Sequence, residues 1–216
     1  IHFFSPVDKM MLVEIIRGKA TSDETVAKAI DYVLKIKKTP IVVKDVRGFF
    51  TNRVFPPYMG EAMKLVTEGV KPALIENAAK SLGMPIGPLA LLDETTLQLG
   101  YDVMQSTKKK LSDAYQPSGT EDFMELMVVK LGRKGRRFGS GFYDYDEKGE
   151  RLSLWQGMAD HYPLAENQPT VEEVKQRLLY IQLIATAQCF EEEVVRDPQS
   201  ADLGAIFGWG FAPYTG

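Results

Sequence analysis

The sequence predicts a mainly α-helical protein that begins with a short α/β segment. Three observations predict this fold. A strand, a helix and a strand follow one another within residues 1–44, which is the pattern of the end of an α/β sheet. Residues 45–145 then carry apolar side chains at helical spacing. A long helical pattern returns in residues 170–216, after a polar stretch that contains proline.

The composition excludes several classes of protein. The chain has 216 residues, of which 44% are hydrophobic, and this is too apolar for a disordered chain. No window reaches the ~20 consecutive apolar residues that a transmembrane helix needs. A single cysteine excludes a disulfide framework and a cysteine-rich metal site, and we predict no metal. The net charge of −3 argues against a protein that binds nucleic acid.

Neither end of the sequence has the pattern of a natural terminus. The chain starts at Ile1 with neither a methionine nor a signal peptide, and residues 211–216 are typical of the middle of a loop. We therefore expect a piece of a longer polypeptide.

The first part of the chain is expected to form two strands, a helix and a third strand. Two apolar runs, 1–4 and 11–16, flank a turn-like stretch, which favours a strand–loop–strand. Thr21 and Glu24 match a capping box, so a helix should open there. The apolar run Pro40–Val43 predicts the next strand, which should be buried.

The next part of the chain is expected to be a group of helices. Pro56 and Pro57 lie inside the first helix and should kink or split it. Gly100 is expected to interrupt the third helix. The expected helices span residues 49–68, 71–82, 88–111 and 121–131.

Beyond residue 145 we expect a linker and a further helix. Residues 146–169 are polar and contain proline, and a short helix is expected around Leu152–Met158. Thr170 and Glu173 match a second capping box, which opens a helix that runs to about Val195.

A weak internal repeat relates the two helical regions. The segment 52–68, which begins Asn-Arg and ends in Glu, resembles 176–192, which begins Gln-Arg and ends in Glu. Farther on, 83–86 (Gly-Met-Pro-Ile) resembles 210–213 (Gly-Phe-Ala-Pro). The repeat predicts a truncated second copy of one helical module. The alternative is chance similarity between two amphipathic helices.

His2 and Glu14 are the strongest candidates for catalysis. If the first two strands form an antiparallel hairpin that turns near Asp8, His2 lies opposite Glu14 on one side of the sheet. A glutamate in so apolar a strand needs a partner, and an imidazole N–H supplies one. Such a pair is the arrangement of a histidine general base. The alternative is a structural ion pair, and spacing does not separate the two.

Two other polar features have both a functional and a structural interpretation. Asn52, early in its helix, either caps the helix or donates through its amide to a substrate oxygen. The basic cluster at residues 133–137 is either a solvated loop or a contact for phosphate groups.

A set of short motifs covers most of residues 1–145, namely His2–Val7, Leu12–Ile16, Gly48–Arg53, Met84–Pro88, Leu91–Asp93 and Gly139–Tyr143. In order and spacing these motifs resemble the 3-hydroxyacyl-CoA dehydrogenase family. In addition, Asp202–Gly208 resembles the duplicated helical domain of multifunctional fatty-acid oxidation proteins of the alpha-subunit type.

The resemblance implies a chain of four parts. These are the C-terminal remnant of a NAD-binding Rossmann domain, a helical dehydrogenase domain, a linker and a truncated second helical repeat. Their expected boundaries are 1–44, 45–145, 146–169 and 170–216.

The resemblance also implies an activity, the NAD-dependent oxidation of (3S)-3-hydroxyacyl-CoA in fatty-acid β-oxidation. On this basis His2 is the base and Glu14 is the carboxylate that orients it. Asn52 matches the asparagine that hydrogen-bonds the substrate, and Met84 and Pro85 line the acyl pocket.

The resemblance places Ser5 and Arg137 near the cofactor, where the family commonly has asparagine and, in some members, lysine. No Gly-x-Gly-x-x-Gly follows a strand anywhere, and Gly139-Ser140-Gly141 is expected to be a turn. The loop that would hold the pyrophosphate is therefore missing. We expect the isolated chain to be inactive and to have negligible affinity for NAD.

The implied partners are an acyl-CoA substrate, the missing Rossmann domain and, in multifunctional members, a hydratase domain. A homodimer and a thiolase partner both stay open. The compartment would be the cytoplasm in a bacterium and the mitochondrion or peroxisome in a eukaryote. The alternative functions are a non-catalytic helical docking or dimerisation module and an acyl-CoA-binding module.

Overall fold

The computed structural model describes residues 1–215, so Gly216, the last residue of the predicted second module, lies outside the described residues. The fold is mainly α-helical, as predicted. The chain divides into two compact units. The first unit contains residues 1–57, 83–85 and 179–215, and the second contains residues 58–82 and 86–178.

A three-stranded sheet forms the centre of the first unit. Strand β1 (His2–Phe3) pairs antiparallel with β2 (Leu12–Arg17), and β2 pairs in parallel with β3 (Thr39–Lys44). Helix α1 (Asp23–Lys35) makes the crossover between the two parallel strands. The predicted order of strand, strand, helix and strand is therefore confirmed.

Successive side chains of β2 point alternately to the two faces of the sheet. Val13 and Ile15 pack against Val33 of α1 in one apolar cluster. The opposite face is covered by the last helix of the chain, Pro198–Trp209. Close approach there requires glycine, because a Cβ at Gly208 would lie 2.8 Å from the Thr51 side chain and 3.2 Å from Leu12.

Helix α1 begins one residue later than its capping box predicts. Ser22 is the N-cap, with extended backbone, and its hydroxyl accepts from the Thr25 backbone N–H at 3.2 Å. The Thr21 hydroxyl instead accepts from the Gly18 N–H at 3.1 Å. The Thr21–Glu24 prediction is therefore wrong, because the hydroxyl at position 21 stabilises the turn before the helix.

In the helical region that follows, the helices are interrupted at other residues than predicted. Residues 51–67 form one helix although Pro56 and Pro57 lie inside it. The third predicted helix is broken at Thr96 (φ 66°) and not at Gly100, and the Thr96 hydroxyl caps the next helix through the Leu99 N–H. The helices are α2 (Thr51–Thr67), α3 (Pro72–Ser81), α4 (Pro88–Thr95), α5 (Leu97–Leu111) and α6 (Glu121–Glu125), the last continued by a π-turn at Leu126–Lys130.

The helix predicted around Leu152–Met158 is wrong. Strand β5 (Arg151–Leu154) pairs antiparallel with β4 (Tyr143–Tyr145) across a tight turn. In that turn the Asp146 carboxylate accepts from the Lys148 and Glu150 N–H groups, at 2.9 and 2.8 Å. A short helix, α7 (Met158–His161), follows only afterwards. The turn chemistry of Asp146 and Gly149 therefore selects a hairpin.

The segment between α7 and the next helix packs within the second unit. The Gly69 carbonyl accepts from the Ala165 N–H and from the Gln168 side chain, each at 2.9 Å. The Thr170–Glu173 capping box is confirmed, because the Thr170 N–H donates to the Glu173 carboxylate at 2.7 Å and the Glu173 N–H donates to the Thr170 hydroxyl at 3.2 Å. It opens α8 (Val171–Glu191), which ends before Val195, and α9 (Pro198–Trp209) completes the described helices.

In the internal repeat, an arginine of each segment forms an ion pair with a glutamate of the other segment, and we call these the exchanged ion pairs. In the first unit, Arg53 at the start of α2 pairs with Glu192 at 2.6 Å, just after α8. In the second unit, Arg177 of α8 pairs with Glu68, just after α2, and with Glu61 at 2.6 Å. Each arginine thus pairs with the glutamate of the other segment.

Candidate functional site

Glu14 is a buried carboxylate in the middle of β2, and its side chain is 0% exposed. One oxygen, Oε2, accepts from the Nδ1 of His2 at 2.7 Å. The other, Oε1, accepts from the backbone N–H groups of Phe50 and Thr51, at 3.1 and 3.0 Å. Both oxygens of the carboxylate are therefore satisfied without water, as a buried charge requires.

The start of α2 supplies two of these three donors. The first N–H groups of a helix have no partner inside the helix and carry the positive end of its dipole, so they attract a carboxylate. The chain enters α2 through Gly48 (φ 85°) and Phe49 (φ 51°), both in the left-handed region. This turn directs the Phe50 and Thr51 N–H groups at Glu14.

His2 is the second member of the site. The register places it directly opposite Glu14, as the hairpin predicts. Because a carboxylate only accepts hydrogen bonds, Nδ1 carries the ring proton and Nε2 keeps a free lone pair when the imidazole is neutral. The His2 side chain is 30% exposed, and the rings of Phe4 and Phe49 lie 4.7 and 5.6 Å from it. The arrangement can accept a proton at Nε2.

Asn52 and Ser5 lie in the same unit as His2 and Glu14. Asn52 is exposed in the first turn of α2, directly after the Thr51 N–H that binds Glu14. Its own N–H donates to the Gly48 carbonyl at 3.1 Å. Ser5 is also exposed, in the loop after β1, and precedes Pro6 through a cis peptide bond.

Met84 and Pro85 also belong to this unit, but they differ in exposure. Met84 is 4% exposed, whereas Pro85 is exposed. Gly210 packs on the proline ring, since a Cβ at Gly210 would lie 2.8 Å from Pro85 Cγ. A Cβ at Gly83 would likewise lie 2.8 Å from Tyr214. The repeated segments 83–86 and 210–213 therefore contact one another.

Arg137 lies in the second unit, and only part of the basic cluster around it is available to a ligand. Arg133 donates to the Gly141 carbonyl at 2.7 Å and stacks on the Trp155 ring, 4.4 Å from its centroid. Arg136 pairs with Glu94 at 2.9 Å. Arg137 is exposed. The first two arginines stabilise the loop, so the phosphate interpretation rests on Arg137 and on Lys134, whose ammonium lies 5.7 Å from the centroid of the Phe138 ring.

Sequence reasoning missed the backbone of Phe50 and Thr51 as part of the site. The signal was present, because an apolar run followed by Gly48 and a helix start is a common way to present free N–H groups. Their target is not visible from the sequence, because Glu14 is 36 residues from Phe50 along the chain.

Two motifs of the family pattern form a second buried centre, which is structural. The Asp93 carboxylate accepts from the Phe142 and Tyr143 N–H groups at 2.8 and 2.9 Å, and from the Tyr145 hydroxyl at 2.9 Å. Gly141 passes so close that a Cβ there would overlap the Asp93 carboxylate. Burial raises the pKa of Asp93 to about 6. As predicted, Gly139-Ser140-Gly141 is a turn and opens no nucleotide-binding helix.

No helix in residues 1–215 combines the length and the apolar character needed to cross a membrane. In the same part of the chain, no three His, Cys, Asp or Glu side chains are grouped so that they could hold a metal ion.

Comparison with known families decides the relationship. The model of the 3-hydroxyacyl-CoA dehydrogenase NAD binding domain matches residues 1–46, and the model of the C-terminal domain of the same family matches residues 48–145. Together they cover about two thirds of the sequence. The chain belongs to the 3-hydroxyacyl-CoA dehydrogenase family. This family is one of oxidoreductases that use NAD.

Solved structures of several dehydrogenases share the fold of this chain. The dehydrogenase part of multifunctional enzyme 1 from C. elegans is 29% identical, with a TM-score of 0.70 over 98% of this chain and 47% of that one. The (S)-3-hydroxybutyryl-CoA dehydrogenase from Ralstonia eutropha is 39% identical, with a TM-score of 0.59 over 68% of this chain and 51% of that one. The 3-hydroxybutyryl-CoA dehydrogenase from Escherichia coli K12, 21% identical, matches in fold with a TM-score of 0.73 over 99% of this chain and 61% of that one.

This family member spans about half the length of the related structures from C. elegans and Ralstonia eutropha. The segment matched by the NAD-binding model contains β1, β2, α1 and most of β3. It contains no glycine-rich phosphate-binding loop, because no Gly-x-Gly-x-x-Gly occurs in the sequence. The residues present therefore lack the loop that would hold the pyrophosphate of a dinucleotide.

Proposed function

We propose that this chain is the substrate-side part of an enzyme that oxidises (3S)-3-hydroxyacyl-CoA to 3-oxoacyl-CoA, with His2 as the general base. One observation carries the proposal. The Nδ1 of His2 is held by a fully buried carboxylate, while the imidazole stays partly exposed with Nε2 unengaged among the described residues. A structural ion pair would not need an open nitrogen beside so costly a buried charge.

The chemistry follows from these two side chains. Nε2 of His2 accepts the proton of the substrate 3-hydroxyl as the C3–O bond becomes a carbonyl. Glu14 holds the ring through Nδ1 and stabilises the imidazolium that forms. NAD, when bound, supplies the acceptor for the hydride that leaves C3.

The remaining assignments belong to the same proposal. Asn52 donates from its amide to a substrate oxygen, and Pro85 and Met84 border the acyl group, with Pro85 the more accessible of the two. Ser5 and Arg137 contact the cofactor. The enzyme would act in fatty-acid β-oxidation, and the chain by itself would lack dehydrogenase activity because the pyrophosphate loop is absent from it.

We also propose that residues 170–216 belong to a second copy of the helical module, in a multifunctional protein. The exchanged pairs of Arg53 with Glu192 and of Arg177 with Glu68 support this proposal. So does the contact of Gly210 with Pro85. Two unrelated amphipathic helices would have no reason to repeat both features.

The test replaces the base in the enzyme that carries a complete NAD-binding domain. His2→Ala is expected to lower turnover with acetoacetyl-CoA and NADH by about 10²–10⁴-fold, the contribution of a positioned base. His161→Ala, which removes the other histidine of this sequence, is the control and should leave turnover unchanged. Equal turnover in the His2→Ala variant would contradict the assignment. Reduction of acetoacetyl-CoA by the isolated chain would contradict its predicted inactivity.

A further inference from the structure

Phe49 holds a backbone conformation that its side chain disfavours. Its φ is 51°, in the left-handed region, where a bulky residue is uncommon because Cβ crowds the backbone. The preceding residue, Gly48, also has a positive φ, and there glycine removes the cost. Glycine at position 49 would hold the same turn without strain. The turn therefore does not explain why this position carries an aromatic ring.

The ring of Phe49 contacts the imidazole of His2. The two centroids lie 5.6 Å apart at an interplanar angle of 53°. Phe4 adds an edge contact, with centroids 4.7 Å apart and an angle of 62°. The backbone of Phe49 leads directly into the Phe50 and Thr51 N–H groups, the only backbone donors to Glu14 among the described residues. Its side chain contacts the imidazole that Glu14 orients.

The hydrogen bond to Glu14 does not hold the imidazole by itself. It attaches one ring atom, Nδ1, to one oxygen, and the torsion about the Cβ–Cγ bond of histidine has a broad energy profile. The plane of the ring, and with it the direction of Nε2, needs a second contact. Two aromatic rings beside the imidazole supply that contact.

We propose that Phe49 is a positioning residue for the base, a role that rests on the proposed function. Its ring keeps the imidazole in the plane where Nδ1 stays on Glu14 and Nε2 stays directed to the substrate. The strained backbone places the ring there while it aims the Phe50 and Thr51 N–H groups at Glu14. One residue therefore couples the orientation of the base to the orientation of its carboxylate.

The test uses the chain itself, labelled with ¹⁵N-histidine. Only His2 and His161 then give imidazole signals, and His161, which lies in the second unit, is the reference for a histidine outside the proposed site. In the unsubstituted chain, two-bond ¹H–¹⁵N correlations at a pH where the imidazole is neutral should show one tautomer of His2, with the proton on Nδ1. In Phe49→Gly, we expect the His2 correlations to broaden or to average between tautomers, while those of His161 keep their positions.

Matched variants separate this role from an effect on stability. Lys37→Gly relieves another positive φ (59°) and should leave the His2 signals unchanged. Phe49→Tyr should keep the single tautomer of His2. Phe49→Leu keeps apolar bulk without a planar ring and should lose the single tautomer in part. Phe49→Leu also replaces the glycine variant if that variant does not fold. In the complete enzyme, Phe49→Gly should lower kcat by about 10- to 100-fold with little change in KM. Phe49→Tyr should keep kcat close to that of the unsubstituted enzyme.

The outcomes distinguish the two proposals. A sharp, unchanged Nδ1–H tautomer of His2 in both Phe49→Gly and Phe49→Leu would overturn the positioning role and leave the base assignment intact. An unsubstituted chain with the proton on Nε2 would instead contradict the proposed function of His2.

Discussion

Glu14 is buried at the centre of a sheet, yet its charge is matched by three donors. Two of them are backbone N–H groups, which every substitution except one to proline retains, and the third is the imidazole of His2. The helix start therefore holds the carboxylate in place, and the carboxylate holds the base. A glutamate can occupy this apolar strand because the N–H groups at the start of α2 donate to it.

A substitution at Glu14 should affect catalysis more than folding. Glu14→Gln keeps the shape and an oxygen for the backbone donors but removes the charge that stabilises the imidazolium. We expect turnover of the complete enzyme to fall by about 100-fold or more. Steady-state kinetics with acetoacetyl-CoA measure this.

Glu76→Gln is the matched control, since Glu76 is equally buried and accepts from the Leu89 N–H at 2.8 Å, outside the proposed site. It should lower thermal stability and leave kcat unchanged. Equal losses of kcat in the Glu14→Gln and Glu76→Gln variants would contradict the special role of Glu14.

Asp93 should make stability depend on pH. Burial raises its pKa to about 6 in the folded chain, against about 3.9 for an unfolded aspartate. The folded state then binds the proton more tightly than the unfolded state, so this group's contribution to stability is largest below about pH 4 and is lost as the pH rises to about 6. The difference corresponds to roughly 3 kcal/mol.

The measurement compares urea unfolding between about pH 4 and pH 7 in the unsubstituted chain and in Asp93→Asn. The asparagine variant should lose this fall in stability with rising pH, whatever its absolute stability. An identical pH profile in both chains would show that Asp93 does not titrate in this range.

At the scale of elements, the hairpin of β4 and β5 depends on one glycine. Gly141 lies against the Asp93 carboxylate, and the Phe142 and Tyr143 N–H groups that follow it bind that carboxylate. A methyl group at position 141 would therefore separate the hairpin from α4. Gly141→Ala should lower the free energy of unfolding by about 1–3 kcal/mol, as overpacking does.

Gly60→Ala is the control for this glycine. Gly60 lies inside α2, and a Cβ there would lie 3.9 Å from its nearest neighbour, Thr120 Cγ2. Alanine is the better helix former, so this variant should gain up to about 1 kcal/mol. Denaturant unfolding of both variants gives the comparison, and a Gly141→Ala variant as stable as the unsubstituted chain would contradict the packing argument.

Elements also differ in how far their sequence predicts them. The capping box at Thr170 is confirmed because its helix start is free of competing partners. At Thr21 the same pattern fails, since the hydroxyl there binds the Gly18 N–H and Ser22 caps the helix. Residues 151–154 pair with a neighbouring strand that only the turn at Asp146 brings within reach. Local patterns predict an element when no other contact competes for the same groups.

At the scale of the whole molecule, the exchanged ion pairs link the repeated segments. Arg177 engages two carboxylates, those of Glu61 and Glu68, and these contacts raise its own pKa and lower that of Glu68. Arg177→Met keeps much of the stem but removes both pairs. We expect a loss of about 1 kcal/mol in the free energy of unfolding, most of it screened at high salt.

The control for Arg177 is an exposed pair on a single helix. Lys28 and Glu24 lie on α1 with side chains 74% and 76% exposed, so Lys28→Met should change stability by less than about 0.5 kcal/mol. Unfolding of both variants at low and high salt tests this difference. Equal effects would mean that the exchanged pairs contribute no more than an ordinary surface pair.

The sequence by itself determined the order of strands and helix in residues 1–44, the family, and the pairing of His2 with Glu14. These depend on period-two alternation and on short motifs, which act over a few residues. Only the tertiary structure decided that the start of α2 completes the site, that Phe49 contacts the base, and that the repeated segments exchange their ion pairs. Such contacts join residues far apart in the chain, and packing of whole elements selects them from many pairings that the sequence allows equally.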